Sequence, residues 1–379
     1  MESTQKTNRA LWLSSFDSPP SIVELDIPQA VAGTAVVRVL ASPVVPYVHL
    51  VHAGKLPQLN LALPCVPNPC AVGRVHAVSP DAVRLRPGDL VYVDATVRAR
   101  DDPSVAIMTG HLGGAGPAAQ RLAREWRDGS LQQFQKVPLE NVYPLDEQRL
   151  LGGLGYSPAA LQGIAYYSVA GGAIMEAAEV RAGETVVVGP AGGSFGGAAV
   201  ELAIALGANV VALGRSGAKL AAMAEALGNH PRFRYVVMSG DDADADTAAI
   251  LRATPNGAGA DVYNDWSPGE LEAPPYLLAA ARTLKRQGRL VLSGSTHGNL
   301  NIPYDLAVLL DLKITGQWMC ARRTLDRLIG MIEQGILNIG ADSGTHVEVF
   351  SLDEHQRAIE YAREHGGWRH YVSVAPNQN

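Results

Sequence analysis

Nothing in this 379-residue chain constrains its fold more than nine residues near the middle, Gly189-Pro-Ala-Gly-Gly-Ser-Phe-Gly-Gly197, five of them glycine. They follow a β-branched run, Thr185-Val-Val-Val188, and precede an apolar stretch, Ala198 to Leu206, that reads as a helix stopped by Gly207. A chain of this kind leaves a buried strand, turns tightly, and enters a helix packed close to the sheet. The bare backbone of such a turn brings N–H groups to the positive end of the helix, where a pyrophosphate is held. The literal G-x-G-x-x-G is absent; what fits is A-x-G-x-x-G at Ala191, Gly193 and Gly196. Pro190, Ala191, Gly192, Gly193, Ser194, Phe195 and Gly196 are therefore expected to cradle a dinucleotide.

The rhythm after the loop supports this expectation. Strands at Val210–Leu213, Tyr235–Met238, Asp261–Tyr263 and Arg289–Ser293 alternate with helices near Ala218–Leu227, Ala245–Ala253 and Pro275–Leu284. That alternation implies parallel βαβ units covered on both faces. Up to about Leu145 the chain reads instead as short strands, such as Ala35-Val-Val-Arg-Val-Leu40, broken by proline and glycine turns. A polar, glycine-rich and then helical insertion runs from Arg98 to Arg127. The tail from Val347 to Val374 reads as strand, helix and strand returning to the first lobe. The expected plan is one lobe from residues 1–157 and 318–379, with a nucleotide-binding domain at 158–317.

Composition narrows the class. Hydrophobic residues at 47% against 18% charged are those of a folded globular core. A net charge of −6 argues against a nucleic-acid binder, which needs a basic face to neutralise phosphates. No apolar run approaches the ~18 residues of a membrane helix. Met1 to Leu13 lacks the apolar core of a signal peptide, so a cytoplasmic location is expected. Three cysteines make no disulfide framework.

The second strand of the nucleotide-binding domain selects the cofactor. An acid about 20 residues after the glycine loop would bind the ribose hydroxyl of NAD. Here Gly214 occupies that place, followed by Arg215, Ser216 and Lys219. With no carboxylate to repel it, a 2′-phosphate meets a guanidinium, a hydroxyl and an ammonium. NADPH is expected.

The sequence resembles the medium-chain dehydrogenase/reductase superfamily along nearly its whole length. The resemblance rests on Arg86-Pro-Gly-Asp89, Asp128-Gly-Ser-Leu-Gln-Gln-Phe134 leading into Val137-Pro138, Arg181-Ala-Gly-Glu184, and Gly288-Arg-Leu-Val-Leu-Ser-Gly294. It is most similar to fungal alcohol dehydrogenase-like members, through segments such as Arg98–Pro103 and Trp126–Gly129. The resemblance implies an α/β fold, a Rossmann doubly wound parallel sheet inserted into a GroES-like β-rich domain. It also implies a nicotinamide lying between the lobes against Ser293, Gly294 and Ser295. A homodimer paired through Leu300–Pro303 and 311–316 follows from it as well.

The same resemblance argues against zinc. It puts Val45 at the position of the catalytic cysteine ligand, Pro69 at the histidine, and Leu161 or Gln162 near the third ligand. None is a thiolate or imidazole, as a tetrahedral zinc shell requires. The four closely spaced cysteines of the structural zinc lobe have no counterpart in Asp94 to Asp128. Cys65 and Cys70 read as small hydrophobes in a proline-rich turn. A zinc-free member is expected.

Zinc-free members resemble quinone oxidoreductases and enoyl or alkenal reductases, which add hydride to an activated alkene. The charge left on the substrate needs a hydrogen-bond donor. By the resemblance Tyr47 stands where the relay hydroxyl sits, and His49 and His52 follow it. In an extended segment Tyr47 and His49 share one face, with His52 read as more of a surface residue. Tyr47 and His49 are the candidate catalytic groups. His52, Tyr156, Tyr166, Tyr167, Trp318 and Met319 are candidates for the pocket wall, with core packing the competing reading for the tyrosines. The reading is thus an NADPH-dependent, zinc-independent reductase of an activated C=C in a small molecule. A carbonyl or imine reductase, or a non-catalytic NADPH-binding protein, stand as alternatives.

Overall fold

Short β-branched runs between proline and glycine turns pair into antiparallel strands, and the first part of the chain does this. The computed structural model describes residues 6 to 378, so Met1–Gln5, part of the N-terminal stretch read above, lie outside the described residues. The chain starts with a hairpin, β1 (Asn8–Trp12) and β2 (Ser21–Leu25), then the long strand β3 (Thr34–Pro43) and a short helix α1 (Val48–His52). Next come β4 (Ala71–Val78), β5 (Leu90–Val93), the hairpin β6 (Thr96–Arg98) and β7 (Ala106–Met108), and helix α2 (Gly116–Trp126). Strands β8 (Phe134–Pro138) and β9 (Val142–Pro144) and helices α3 (Pro158–Leu161) and α4 (Ile164–Gly171) follow.

The βαβ run then begins: β10 (Thr185–Gly189), α5 (Ser194–Ala205), β11 (Asn209–Gly214), α6 (Gly217–Ala226), β12 (Phe233–Val237) and α7 (Ala243–Ala253). It continues with β13 (Ala260–Asp265), α8 (Leu277–Ala281), β14 (Leu284–Leu292), α9 (Tyr304–Leu309), β15 (Lys313–Gly316) and α10 (Arg322–Glu333). The tail is β16 (His346–Ser351), α11 (His355–His365) and β17 (His370–Ala375).

Two compact units result: one runs to Ala165 and resumes at Ile339, the other spans Tyr166–Asn338. Sequence reading put the junctions at 157/158 and 317/318. Helix α10 accounts for the difference at the second junction. It buries Leu325, Leu328, Ile329 and Ile332 on one face, and it belongs to the second unit.

In the first unit a seven-stranded sheet has the order β16-β17-β3-β4-β5-β9, with β8 also paired to β3. Ala35, Val37 and Val39 alternate along β3 and pack with Ala71, Val91 and Val137 in one core cluster. The last strand, β17, pairs with β3 through Ser373–Pro43 and Val374–Ser42, so the tail closes onto the first lobe as the sequence suggested.

In the second unit six parallel strands take the order β12-β11-β10-β13-β14-β15. This is the doubly wound arrangement, which binds ligands at the carboxyl ends where the winding reverses, between β10 and β13. Two helices depart from expectation. α5 starts at Ser194 rather than Ala198, so half of the glycine loop is its first turn. α8 is only Leu277–Ala281, because β14 starts early, at Leu284, and passes through a left-handed Gln287 (φ 62°).

Candidate functional site

The glycine loop separates two kinds of glycine. At Gly196 a Cβ would lie 2.2 Å from the Pro190 carbonyl oxygen, so helix and loop can approach only if no side chain is present. At Gly192 and Gly193 a Cβ would meet nothing within 4 Å. Packing within the chain does not demand those two glycines; a ligand lying on the backbone would. No side chain caps the amino end of α5, whose N-cap is Gly193. Ala191 N–H donates to the Leu213 carbonyl at 2.8 Å and ties the loop to the end of β11. Bare backbone at an uncapped helix N-terminus fits a pyrophosphate.

Strand β11 ends at buried Gly214, and Arg215 and Lys219 beyond it are exposed. Ser216 is the N-cap of α6, its hydroxyl oxygen accepting from Lys219 N–H at 3.3 Å. The four residues chosen from sequence thus form one short turn, with both cations free to meet a phosphate.

At the ends of β13 and β14 the expected Ser293, Gly294 and Ser295 are laced to a segment that sequence reading passed over. Ser293 N–H donates to the Asp265 carbonyl at 3.0 Å and Ser295 N–H to the Ser267 carbonyl at 2.9 Å. A Cβ on Gly294 would sit 2.4 Å from that Ser267 oxygen. The Asp265 carboxylate accepts from the Tyr263 hydroxyl (2.9 Å) and the Ser267 hydroxyl (2.8 Å), and burial pushes its pKa up. Asn264 donates to Val291 O and Ser293 Oγ, both at 3.2 Å. The signal was present: Asn264-Asp265-Trp266-Ser267 interrupts an apolar strand at its carboxyl end.

Two of the candidate tyrosines pack in this unit. Tyr166 meets Phe195 edge-on (5.6 Å between ring centroids), and Phe195 stacks on Trp266 (6.0 Å, 18°). The hydroxyl of buried Tyr167 donates to Glu201 of α5, so Tyr167 anchors that helix. Met319 is buried with φ 58°, whereas Trp318 is exposed.

In the first unit the segment after β3 is not extended. Tyr47 is the N-cap of α1, and His49 and His52 lie on that helix. The alternation argument fails because Tyr47-Val-His-Leu-Val-His turns back on itself, with Leu50 N–H bonding to Tyr47 O at 2.9 Å. His49 Nδ1 lies 3.1 Å from Pro46 O, and His49 lines a groove together with Gln356 and Glu360 of α11. His52, read as a surface residue, is 7% exposed with both ring nitrogens enclosed and unpartnered. Burial, then His111, His355 and His49, lower its pKa to about 4. Tyr156 is buried, its hydroxyl held by the backbone of Ile339.

Tyr47 packs against the cluster of Leu13, Val51, Leu56, Leu61 and Cys65. Burial, and secondarily nearby Cys70, push its phenol up to about 12. Its ring meets His111 edge-on at 5.9 Å. Sequence reading missed His111, since only the tertiary fold brings the 98–127 insertion back to Tyr47.

The positions set against zinc do not supply its ligands. Val45 is buried, Pro69 has no donor atom, and burial holds the Cys70 thiol up near about 12. Gln162 is fully buried with both side-chain polar atoms unpartnered. Among the described residues no three His, Cys, Asp or Glu side chains gather closely enough to hold a metal ion.

Residues 195–334 match the zinc-binding dehydrogenase family. No curated protein matches the sequence. Among solved structures the chain is similar to AibC, with TM-score 0.78 at 20% identity over 99% of this chain and 97% of that one. This is a medium-chain dehydrogenase/reductase fold. The same medium-chain fold recurs in an NAD-dependent alcohol dehydrogenase (TM-score 0.73, 22% identity, 97% and 99% coverage). It recurs again in a Sinorhizobium meliloti 1021 protein solved with NADP and named for zinc-binding dehydrogenases (TM-score 0.74, 17% identity, 98% and 100% coverage). Beyond that fold, the similarity is to the zinc-binding dehydrogenase family over residues 195–334.

Proposed function

We propose that this medium-chain protein is an NADPH-dependent reductase that adds hydride to the activated C=C of a small enone, quinone or enoyl compound without zinc. One observation carries the cofactor half of the reading. An open, uncapped glycine loop is joined to a strand end, Gly214, that bears no carboxylate and is followed by exposed Arg215 and Lys219. The NADP found in one structural neighbour is in keeping with it.

When bound, the dihydronicotinamide would supply the hydride. The chain's own groups do the rest. The amides of Ser194 and Phe195 and the cations Arg215 and Lys219 bind phosphates, and Ser293, Gly294 and Ser295 border the nicotinamide. Tyr47, kept protonated by burial, donates to the substrate oxygen on which charge develops. His49 is the second candidate for that role. With Val45 and Pro69 unable to ligate, no step passes through a metal. A cytoplasmic homodimer completes the proposal; no helix among the described residues is long and apolar enough to cross a membrane.

The test is NADPH oxidation followed by absorbance with enones, quinones, ketones and imines, with and without a chelator. Enone or quinone turnover that survives chelation is expected. Turnover of ketones or imines alone, or saturable cofactor binding with no oxidation, overturns the reaction. Tighter NADH than NADPH binding overturns the cofactor.

A further inference from the structure

Three segments of the first unit cross tightly next to His111. Asn68 N–H donates to Gly110 O (3.0 Å), Thr109 Oγ1 to Pro69 O (3.1 Å), and Gly110 N–H to Arg127 O (2.6 Å). Gly129 N–H donates to Val66 O at 2.7 Å and Ser130 N–H to Asn68 O at 2.8 Å. The crossing is too tight for side chains. A Cβ on Gly129 would lie 1.9 Å from Asn68 O, and one on Gly110, already at φ +61°, 2.8 Å from the same oxygen. The next residue, His111, is thereby fixed edge-on to the Tyr47 ring.

His111 is 5% exposed, yet among the described residues neither its imidazole nor the Tyr47 hydroxyl makes a hydrogen bond. These polar atoms also differ from the sealed nitrogens of His52, because they are not among the fully enclosed orphan atoms. Each keeps a sliver of reachable surface. A nearly buried polar group without a partner is costly, and two side by side call for an acceptor that the chain itself does not provide.

We propose that His111 is a second hydrogen-bond donor beside Tyr47, the two forming an uncharged site for the oxyanion of a conjugated carbonyl substrate. This rests on the reductase reading and adds to it a residue of the 98–127 insertion. Burial keeps the imidazole neutral, with one N–H to donate, and keeps the phenol protonated. During reduction, hydride adds to the β-carbon and the C=C pair shifts toward the carbonyl, leaving the negative charge on oxygen. Tyr47 gives that oxygen its proton and later regains one from water. His111 holds the oxygen and keeps its own proton. The resulting enol returns to the saturated carbonyl in water.

The probe is para-nitrophenol, whose neutral and ionised forms differ in absorbance, titrated against the whole protein with no cofactor. It is expected to bind as the phenolate, and His111→Phe to weaken it about tenfold or more. His111→Gln, which keeps a donor, is expected to stay within about threefold of the parent. His111→Leu replaces the Phe variant if that one does not fold, and Tyr47→Phe should weaken binding as His111→Phe does. Binding as the neutral phenol, no binding, or parental affinity in the donorless variant overturns the site. Enone turnover with NADPH that is unchanged in His111→Phe would leave the reductase reading standing and sink this one. Phenolate binding in a protein that oxidises no NADPH would do the reverse.

Discussion

Arg215 follows Gly214, the residue that stands where the fold would place a ribose-binding acid if the cofactor were NAD. Its side chain is exposed, so its value lies in a charge-assisted contact that exists only when a phosphate is present. Arg215→Ala should weaken NADPH by about 1–3 kcal/mol and leave NADH nearly unchanged, measured by calorimetric titration of both. Equal losses for the two cofactors would remove the phosphate role. Tyr47→Phe is expected to lower kcat 10²- to 10⁴-fold, on the order found for a lost proton donor, with NADPH affinity and Tm unchanged. Retention of more than about a third of the parental kcat would pass the role to His49 or to water. At this scale the sequence is legible where a residue acts through its neighbours in the chain: Gly214, Arg215, Ser216 and Lys219 form one turn because they are contiguous. It is silent where partners are far apart, as with Tyr47 and His111. It misleads where a short polar-apolar alternation coils, as at Tyr47 and His49.

The glycine loop and its helix make an element whose two duties separate by substitution. Gly196→Ala drives a methyl into the Pro190 carbonyl and should cost about 1–3 kcal/mol of stability in urea denaturation. Gly193→Ala meets open space, so stability should stay within about 0.5 kcal/mol while dinucleotide affinity falls. Equal destabilisation by the two would mean that the loop glycines serve packing alone. Helix α1 carries a second testable property, since His52 and, from the insertion, His111 are both held neutral with pKa lowered to about 4. His49 and His355 also face His52, and Asp353 draws His355 slightly the other way. Between about pH 4 and 6.5 the unfolded chain binds protons that the folded one refuses, so stability rises with pH across that window. Falling from about pH 7 to about pH 5 should therefore lower the urea midpoint, and His52→Leu should flatten the dependence. A midpoint indifferent to pH in the parent would contradict the burial of these rings. Elements with a clear period were legible in advance, and the parallel strands β10 to β14 overlap the runs read as strands from the sequence. The true start of α5 was not, because glycines that signal a loop are also tolerated in a tightly packed first turn.

At the scale of the molecule, the second unit ends its sheet in an unprotected way. β15 is an edge strand with all four residues exposed, and α9 beside it in sequence buries no residue. Tyr304 is 85% exposed, and Val308, Leu309 and Ile314 are exposed as well. An open edge with apolar neighbours invites a second copy across a two-fold axis. Light scattering at micromolar concentration should give twice the chain mass, and Leu309→Lys with Ile314→Lys the single mass; a monomeric parent would dismiss the idea. The order of strands also has a bearing on how the protein comes into being. Ser373 of β17 hydrogen-bonds to the backbone of Ser42, 331 positions earlier, whereas the second unit is one uninterrupted stretch. On the ribosome the later-made unit has all its residues first, while the earlier-made sheet waits with an open edge at β3 for its last strand. The nascent chain thus leaves the Ser42–Pro43 end of β3 unpaired until the last strand is made, and a pause in translation after residue 338 would prolong that exposure without disturbing the second unit.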